Sequence, residues 1–255
     1  MWNSFKIAFS MYSKIPMPNT DWNKNNMKYA ICFFPMIGIV IGILTYLWSL
    51  ICNSLDVGNI LKTSMYIFIP ILITGGIHID GFIDTMDAIN SYQNVEKKLE
   101  ILKDPHIGAF ALIGTISYFI ISLGFWSEIT TIKEVLIISI GYVISRALSG
   151  YSIANFKCAK NSGLAATFSN SSEKKIVTTF MFIYTIIGVL AMLFIDITYG
   201  ITSVCCISLS FIYYKYMSMK KFNGITGDLA GFFLQICELS IVIGIVIINY
   251  ILWGK

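Results

Sequence analysis

The 255-residue chain is short of charge: only 13% of its residues are charged, Arg146 is its single arginine, and His78 and His106 are its only histidines. The net charge of +4 comes from dispersed lysines, which excludes the clustered basic face that nucleic acid requires. The six cysteines, at 32, 52, 158, 205, 206 and 237, form no C-x-x-C pair. Five of them stand inside apolar runs, where a thiol behaves as a small hydrophobe, so neither a disulfide framework nor a structural zinc site is expected. No G-x-S-x-G, Walker A loop, G-x-G-x-x-G or H-E-x-x-H occurs, which removes the familiar hydrolase, ATPase, dehydrogenase and zincin readings. No repeat of fixed period and no low-complexity tract interrupts the chain.

What is present in excess is apolar surface. Hydrophobic residues make up 56% of the chain and its mean hydropathy is +0.74, values of an integral membrane protein. Seven apolar stretches, roughly 30–52, 61–79, 107–127, 135–154, 176–195, 199–217 and 233–252, each approach the ~20 residues that a helix needs to cross hydrocarbon. The expected fold is all-α, a polytopic helical bundle of about seven transmembrane helices forming one domain over 1–255. The N-terminus, "MWNSFKIAFSMYSKIPMP", lacks the apolar core and cleavage site of a signal peptide. Helical spacing puts Trp2, Phe5, Phe9 and Tyr12 on one face, as in an interfacial helix, and Pro16 and Pro18 end it. Gly38-x-x-x-Gly42 in the first span predicts a close helix-packing contact.

Lysine distribution orients the bundle, because cytoplasmic loops are enriched in Lys and Arg. With the N-terminus inside, fourteen lysines fall in inner segments and only Lys62, Lys133 and Lys255 in outer ones. The long polar segments 80–106, 153–175 and 218–232 then all lie inside. Chemistry is expected on the cytoplasmic side of the cell membrane.

Against that background, "ITGGIHIDGFIDTMDAINSYQ" (73–93) is anomalous. Asp80, Asp84 and Asp87 stand at i, i+4 and i+7, one face of a helix, at the edge of a span where unpaired charge is disfavoured. Convergent hard oxygen ligands suit Mg²⁺ or Mn²⁺ bridging to substrate phosphates; a solvated acidic helix end is the plainer alternative. Gly75, Gly76 and Gly81 fit close backbone approach or a break in the span.

A second acidic feature is "FNGITGDLAGFFLQICEL". Asp228 follows the glycine turn Gly224 to Gly227, whose free backbone N–H groups at a helix start would make a phosphate cradle. Glu238 falls within the last span, where a carboxylate is either functional or paired with Arg146 or a hydroxyl. Arg146, near the inner end of its span, could clamp phosphate, pair with an aspartate or snorkel to the interface. His78 could ligate metal, orient Asp80 or act as a base. Lys103 and Asp104, in "LKDPHIG", read as loop charges. Together these residues point to membrane-embedded, metal-assisted chemistry on a phosphate-bearing substrate.

The segment "GGIHIDGFIDTMDA" resembles the GG-x-H-x-DG-x-x-D-x-x-D stretch of the cobalamin synthase (adenosylcobinamide-GDP ribazoletransferase) family. The likeness continues through "KDPHIGAFA", the arginine of "VISRA" and "GITGDLAGFFLQICEL", and so covers nearly the whole chain. Ile225, Lys103, Pro105 and Asn223 depart from the residues that the family often has there. The resemblance implies transfer of adenosylcobinamide phosphate from adenosylcobinamide-GDP to α-ribazole or α-ribazole 5′-phosphate, with release of GMP and a requirement for Mg²⁺. It also implies that Asp80, Asp84, Asp87 and Asp228 are metal ligands, one of them serving as base, and that His78, Lys103, Asp104, Arg146, Gly227 and Glu238 are substrate contacts. A CDP-alcohol-type membrane phosphotransferase is the nearest alternative, and a metal or proton transporter using intramembrane acids is the alternative from another class.

Overall fold

Long apolar runs can satisfy their backbone in a bilayer only as helices or closed barrels, and this chain takes the helical solution. The computed structural model describes residues 1–160 and 162–254; Lys255, counted above among the outer lysines, lies outside the described residues. The helices are α1 (Trp2–Tyr12), α2 (Lys24–Met27), α3 (Phe34–Leu55), α4 (Asn59–Thr74), α5 (Ile77–Asn90), α6 (Val95–Ile101), α7 (Ala109–Ser127), α8 (Ile132–Asn155), α9 (Leu164–Ser171), α10 (Lys174–Ile195), α11 (Ile197–Phe222) and α12 (Gly227–Trp253). A short 3₁₀ turn, Ala30–Phe33, leads into α3. Among the described residues there is no strand, only an isolated bridge between Cys158 and Ile225. By length and composition six helices can cross a membrane, or seven if α4 and α5 count as one broken span.

That break corrects the expected span 61–79. The helix stops at Thr74 because Gly75 and Gly76 both take left-handed φ values, 65° and 83°, a conformation that only glycine adopts without penalty. The axis turns by 98°, and α5 carries the acidic segment away from α4. The N-terminal strap secures the corner: Lys14 N–H donates to Ile73 O at 2.7 Å, and the Lys14 side chain lies where a Cβ on Gly75 would be.

Helix α8 is the hub, packed against α3, α10 and α12. Its first turn is set by a capping box in which Thr131 and Glu134 each bond the other's backbone N–H. The expected Gly38 and Gly42 contact is with this helix, since Cβ atoms there would lie 2.3–2.7 Å from the Tyr142 and Ser139 carbonyl oxygens; no larger residue fits. Helices α7 and α10 instead turn apolar side chains outward, with Ile113, Ile120, Leu190 and Phe194 exposed, as lipid-facing spans do. All six cysteines are free.

The long polar segments gather at one end of the bundle. Loop 157–159 is hydrogen-bonded to Ile225, Lys160 donates to Leu99 O, and Glu173 N–H donates to Lys28 O. At the other end Lys133 pairs with Asp196, and Tyr250 donates to Glu128. The N-terminal helix is more than a surface float: Ile7 and Ala8 are fully buried, while Trp2 is exposed. Tyr12 at its end reaches Phe34, Phe168 and His78.

Candidate active site

The site depends on two glycines. Helices α5 and α12 cross with their backbones touching: a Cβ on Gly81 would lie 2.8 Å from Asp228 O, and one on Gly231 would lie 3.1 Å from His78 O. This crossing joins the two acidic motifs, far apart in sequence, because it sets the first turn of α5, with Asp80, beside the first turn of α12, with Asp228. Asp84, one turn on, feels the charges of Asp80, Asp228 and Asp87. Acidic groups in the first turns are favoured by the helix dipoles, but four carboxylates sharing one region repel one another without a cation.

Asp87 departs from the other three. Its carboxylate lies over Gly108, the N-cap of α7, close enough that any side chain there would collide with it. Among the described residues no three His, Cys, Asp or Glu side chains converge tightly enough to cage a metal by themselves. Mg²⁺ rarely uses such a cage; it keeps several waters and takes one or two carboxylates together with substrate phosphates. The all-oxygen donor set of Asp80, Asp84 and Asp228 fits that habit.

Two cavities meet at Asp228 and Gly227. The first, about 260 Å³, is lined by Lys103, Lys160, Ser162, Gly163, Ala166, Ile225 and Thr226. Burial, and then the positive charge of Lys103, hold the Lys160 amine below the usual lysine range. The glycine turn builds this wall in an unexpected way. Gly224 N–H donates to Ser218 O and Ile225 N–H to Lys157 O, so these amides do not form the free phosphate cradle read from the sequence. They dock the loop that presents Lys160: a Cβ on Gly224 would fall 2.5 Å from Ala159 N. At Gly227 a Cβ would meet nothing within 4 Å, so that position does face open space.

The second cavity, about 210 Å³, lies on the other side of Asp228 and is lined by Met11, Tyr12, Phe34, Ile77, His78, Asp80, Ser149, Ile153 and Leu234. His78 is 5% exposed and Ser149 1%, and neither His78 Nε2 nor Ser149 Oγ has a hydrogen-bond partner.

The remaining predicted residues sit elsewhere. Arg146 and Glu238 pair with each other at 2.7 Å inside the bundle, and Ser145 Oγ donates to the same carboxylate oxygen at 3.0 Å. Of the alternatives open in the sequence, pairing is the one observed. Arg146 Nε and Nη2 have no hydrogen-bond partner. Asp104 is exposed and bound to its neighbour His106, whose backbone N–H and ring hold the carboxyl below its usual range.

Sequence reasoning missed Lys160, Ser149 and the cavity walls from α1. Lys160 is one loop lysine among several and carries no distinguishing signal. Ser149 carried one, since Ser145, Ser149 and Ser152 recur at helical spacing inside an apolar span. The N-terminal contribution is purely tertiary.

The cobalamin-5-phosphate synthase family model matches residues 4–246, almost the whole chain. The chain belongs to that family. A relative in Lachnoclostridium phytofermentans, named adenosylcobinamide-GDP ribazoletransferase, is 49% identical over 245 residues, covering 96% of this chain and 94% of the relative. Proteins of the same name in Clostridium botulinum (strain Alaska E43 / Type E3) and Fusobacterium nucleatum are 33% and 31% identical, covering 94% and 92% of this chain and 96% and 94% of their own lengths. No solved structure matches. Within the matched region, the crossing of α5 on α12 brings together the DG-x-x-D and TGD segments of the sequence.

Proposed function

We propose that this protein transfers adenosylcobinamide phosphate from adenosylcobinamide-GDP to α-ribazole or α-ribazole 5′-phosphate, giving a cobalamin or its 5′-phosphate and GMP. The observation that carries this reading is the meeting of Asp80, Asp84 and Asp228 beside a lysine-lined cavity, in a chain of this family.

In the transfer, the ribazole hydroxyl oxygen forms a bond to the phosphorus that bears the cobinamide. The bond from that phosphorus to the oxygen of GMP breaks, the hydroxyl proton passes to a carboxylate, and GMP leaves as a phosphate monoester. Asp228 borders both the open space where an alcohol would approach and the region of the diphosphate, and Asp80 borders the first of these, so either is placed to take the proton. Lys103 and Lys160 offset diphosphate charge. Asp80, Asp84 and Asp228 would hold Mg²⁺, with Asp87 near enough to add its charge. When bound, the ion would stabilise the negative charge that develops on the leaving phosphate.

The reaction would lie on the cytoplasmic side of the cell membrane. Supporting this orientation, the lysine-rich segments gather at the same end of the bundle as the carboxylates. The test is an assay of the protein in lipid nanodiscs with adenosylcobinamide-GDP, α-ribazole and Mg²⁺. GMP and a cobalamin should appear together, both should vanish with chelator, and Asp84→Asn should abolish them at an unchanged protein level. No GMP with any divalent metal would overturn the reading.

A further inference from the structure

The second cavity contains something that the chemistry at the carboxylates does not use. Its walls are apolar and aromatic, yet His78 Nε2 and Ser149 Oγ, both on side chains more than nine-tenths buried, find no partner within the protein. A buried polar atom without a partner costs roughly 1–3 kcal/mol, and such groups point to a missing partner. Two of them, on different helices, belong to residues of one cavity whose other walls are largely apolar and aromatic, a lining that suits a ligand with few polar atoms.

We propose that this cavity seats the heterocyclic base of the ribazole acceptor, with its free ring nitrogen accepting a hydrogen bond from Ser149 or His78. The assignment rests on the reaction proposed above and adds which side of Asp228 each substrate occupies.

Size and polarity select among the molecules of that reaction. Pockets that enclose a drug-sized ligand run to roughly 300–1,000 Å³. At about 210 Å³ this one has room for a fused bicyclic base and not for a corrin macrocycle. Guanine carries hydrogen-bonding atoms along most of its edge; beyond the Asp80 and Asp228 carboxylates, the lining offers only the Tyr12, His78 and Ser149 side chains to meet them. A dimethylbenzimidazole attached to its sugar carries one, the unsubstituted ring nitrogen, and otherwise presents methyl groups and ring faces suited to Met11, Tyr12, Phe34 and Leu234. With the base seated, the sugar lies at the Asp80 and Asp228 edge, where its hydroxyl meets the carboxylates. The diphosphate then lies across Asp228, against Lys103 and Lys160. The alcohol then enters from the side of the phosphorus opposite the leaving GMP oxygen, as an in-line displacement requires.

The cavity-filling variant Ser149→Leu separates the substrates. In nanodiscs it should raise the KM for α-ribazole about tenfold or more and leave the KM for adenosylcobinamide-GDP unchanged, and Ser149→Ala should raise the ribazole KM to a smaller extent. Free dimethylbenzimidazole should compete with α-ribazole on the wild type and not with adenosylcobinamide-GDP. It should also bind the wild type in a direct titration, without turnover, and bind Ser149→Leu more weakly. A raised KM for adenosylcobinamide-GDP with the ribazole KM unmoved, or competition of dimethylbenzimidazole against adenosylcobinamide-GDP, would overturn the assignment. Should Ser149→Leu fail to fold, the competition and titration on the wild type decide it alone. The two readings fail separately: absent GMP release sinks the reaction, whereas GMP release without base binding sinks only the cavity assignment.

Discussion

Two polar clusters lie near opposite ends of the bundle, and they are built on opposite plans. Far from the aspartates, Glu134 is fully buried and fully engaged: Thr130 and Thr131 N–H donate to one oxygen at 2.9 and 2.8 Å, and Asn249 Nδ2 donates to the other at 2.7 Å. Tyr199 donates to Asn249 Oδ1 at 2.7 Å, closing the set across three spans. At the α5–α12 crossing, Asp80, Asp84 and Asp228 share one region while His78 Nε2 and Ser149 Oγ go without partners. Unpartnered buried polar atoms also occur elsewhere in the bundle, among them Thr45 Oγ1, Ser203 Oγ and two nitrogens of Arg146, so what sets the aspartate cluster apart is carboxylates that border open cavities. Both clusters contain acids, so composition does not tell them apart; Glu134 is buried and bonded, whereas Asp80 is exposed and Asp84, Asp87 and Asp228 are half-buried.

The comparison breaks most sharply at Asp84. Asp84→Asn removes one of several repelling charges, so thermal unfolding in nanodiscs should show an unchanged or raised Tm. GMP release should nonetheless fall at least ~100-fold, the loss expected when several kcal/mol of charge stabilisation disappears. Gly81→Ala comes next. Its Cβ would meet Asp228 O at 2.8 Å, forcing the crossing apart at a cost of roughly 1–3 kcal/mol, and both Tm and kcat should drop.

Glu134→Ala is the converse of Asp84→Asn. It strands Asn249 and two backbone amides, should cost about 2 kcal/mol, and should lower Tm while leaving both KM values as they were. A loss of turnover with an unchanged Tm would mean that the two clusters are not separable in this way.

The smallest expected effect is at Lys160. Lys160→Ala should raise the KM for adenosylcobinamide-GDP about tenfold, the worth of one charge-assisted contact. Because burial and Lys103 lower its pKa, the ammonium loses its proton at a lower pH than a free lysine does. Substrate binding should therefore weaken on the alkaline side, below the ~10.4 of an ordinary lysine. Lys160→Arg stays charged and should push that limb upward. A limb that does not move would remove Lys160 from the binding surface.

Much of this was legible in advance because the signals are local. Apolar run length located six spans to within a few residues, Gly38 and Gly42 announced the α3–α8 contact, and the i, i+4, i+7 spacing put three aspartates on one helix face. The failures were of two kinds. The second span ended early because a pair of left-handed glycines stops a helix whatever the hydropathy around it. The Gly224 to Gly227 turn was read as a ligand cradle, but its Gly224 amide bonds to Ser218 and its Ile225 amide to Lys157, a loop partner far back in the chain that no local pattern reveals.

The sequence by itself determined the solvent, the secondary structure and the chemical type of the site. Run length, lysine placement and residue type are properties of single segments, and the bilayer and the helix repeat act on each segment separately. Only the tertiary structure decided that Asp80 and Asp228 share a site, that Arg146 and Glu238 pair, that Lys160 faces Asp228, and that Tyr12 and Ser149 wall a cavity. Each of these is set by how closely two helices can approach, which depends on what both present at the crossing, and neither segment carries that information alone.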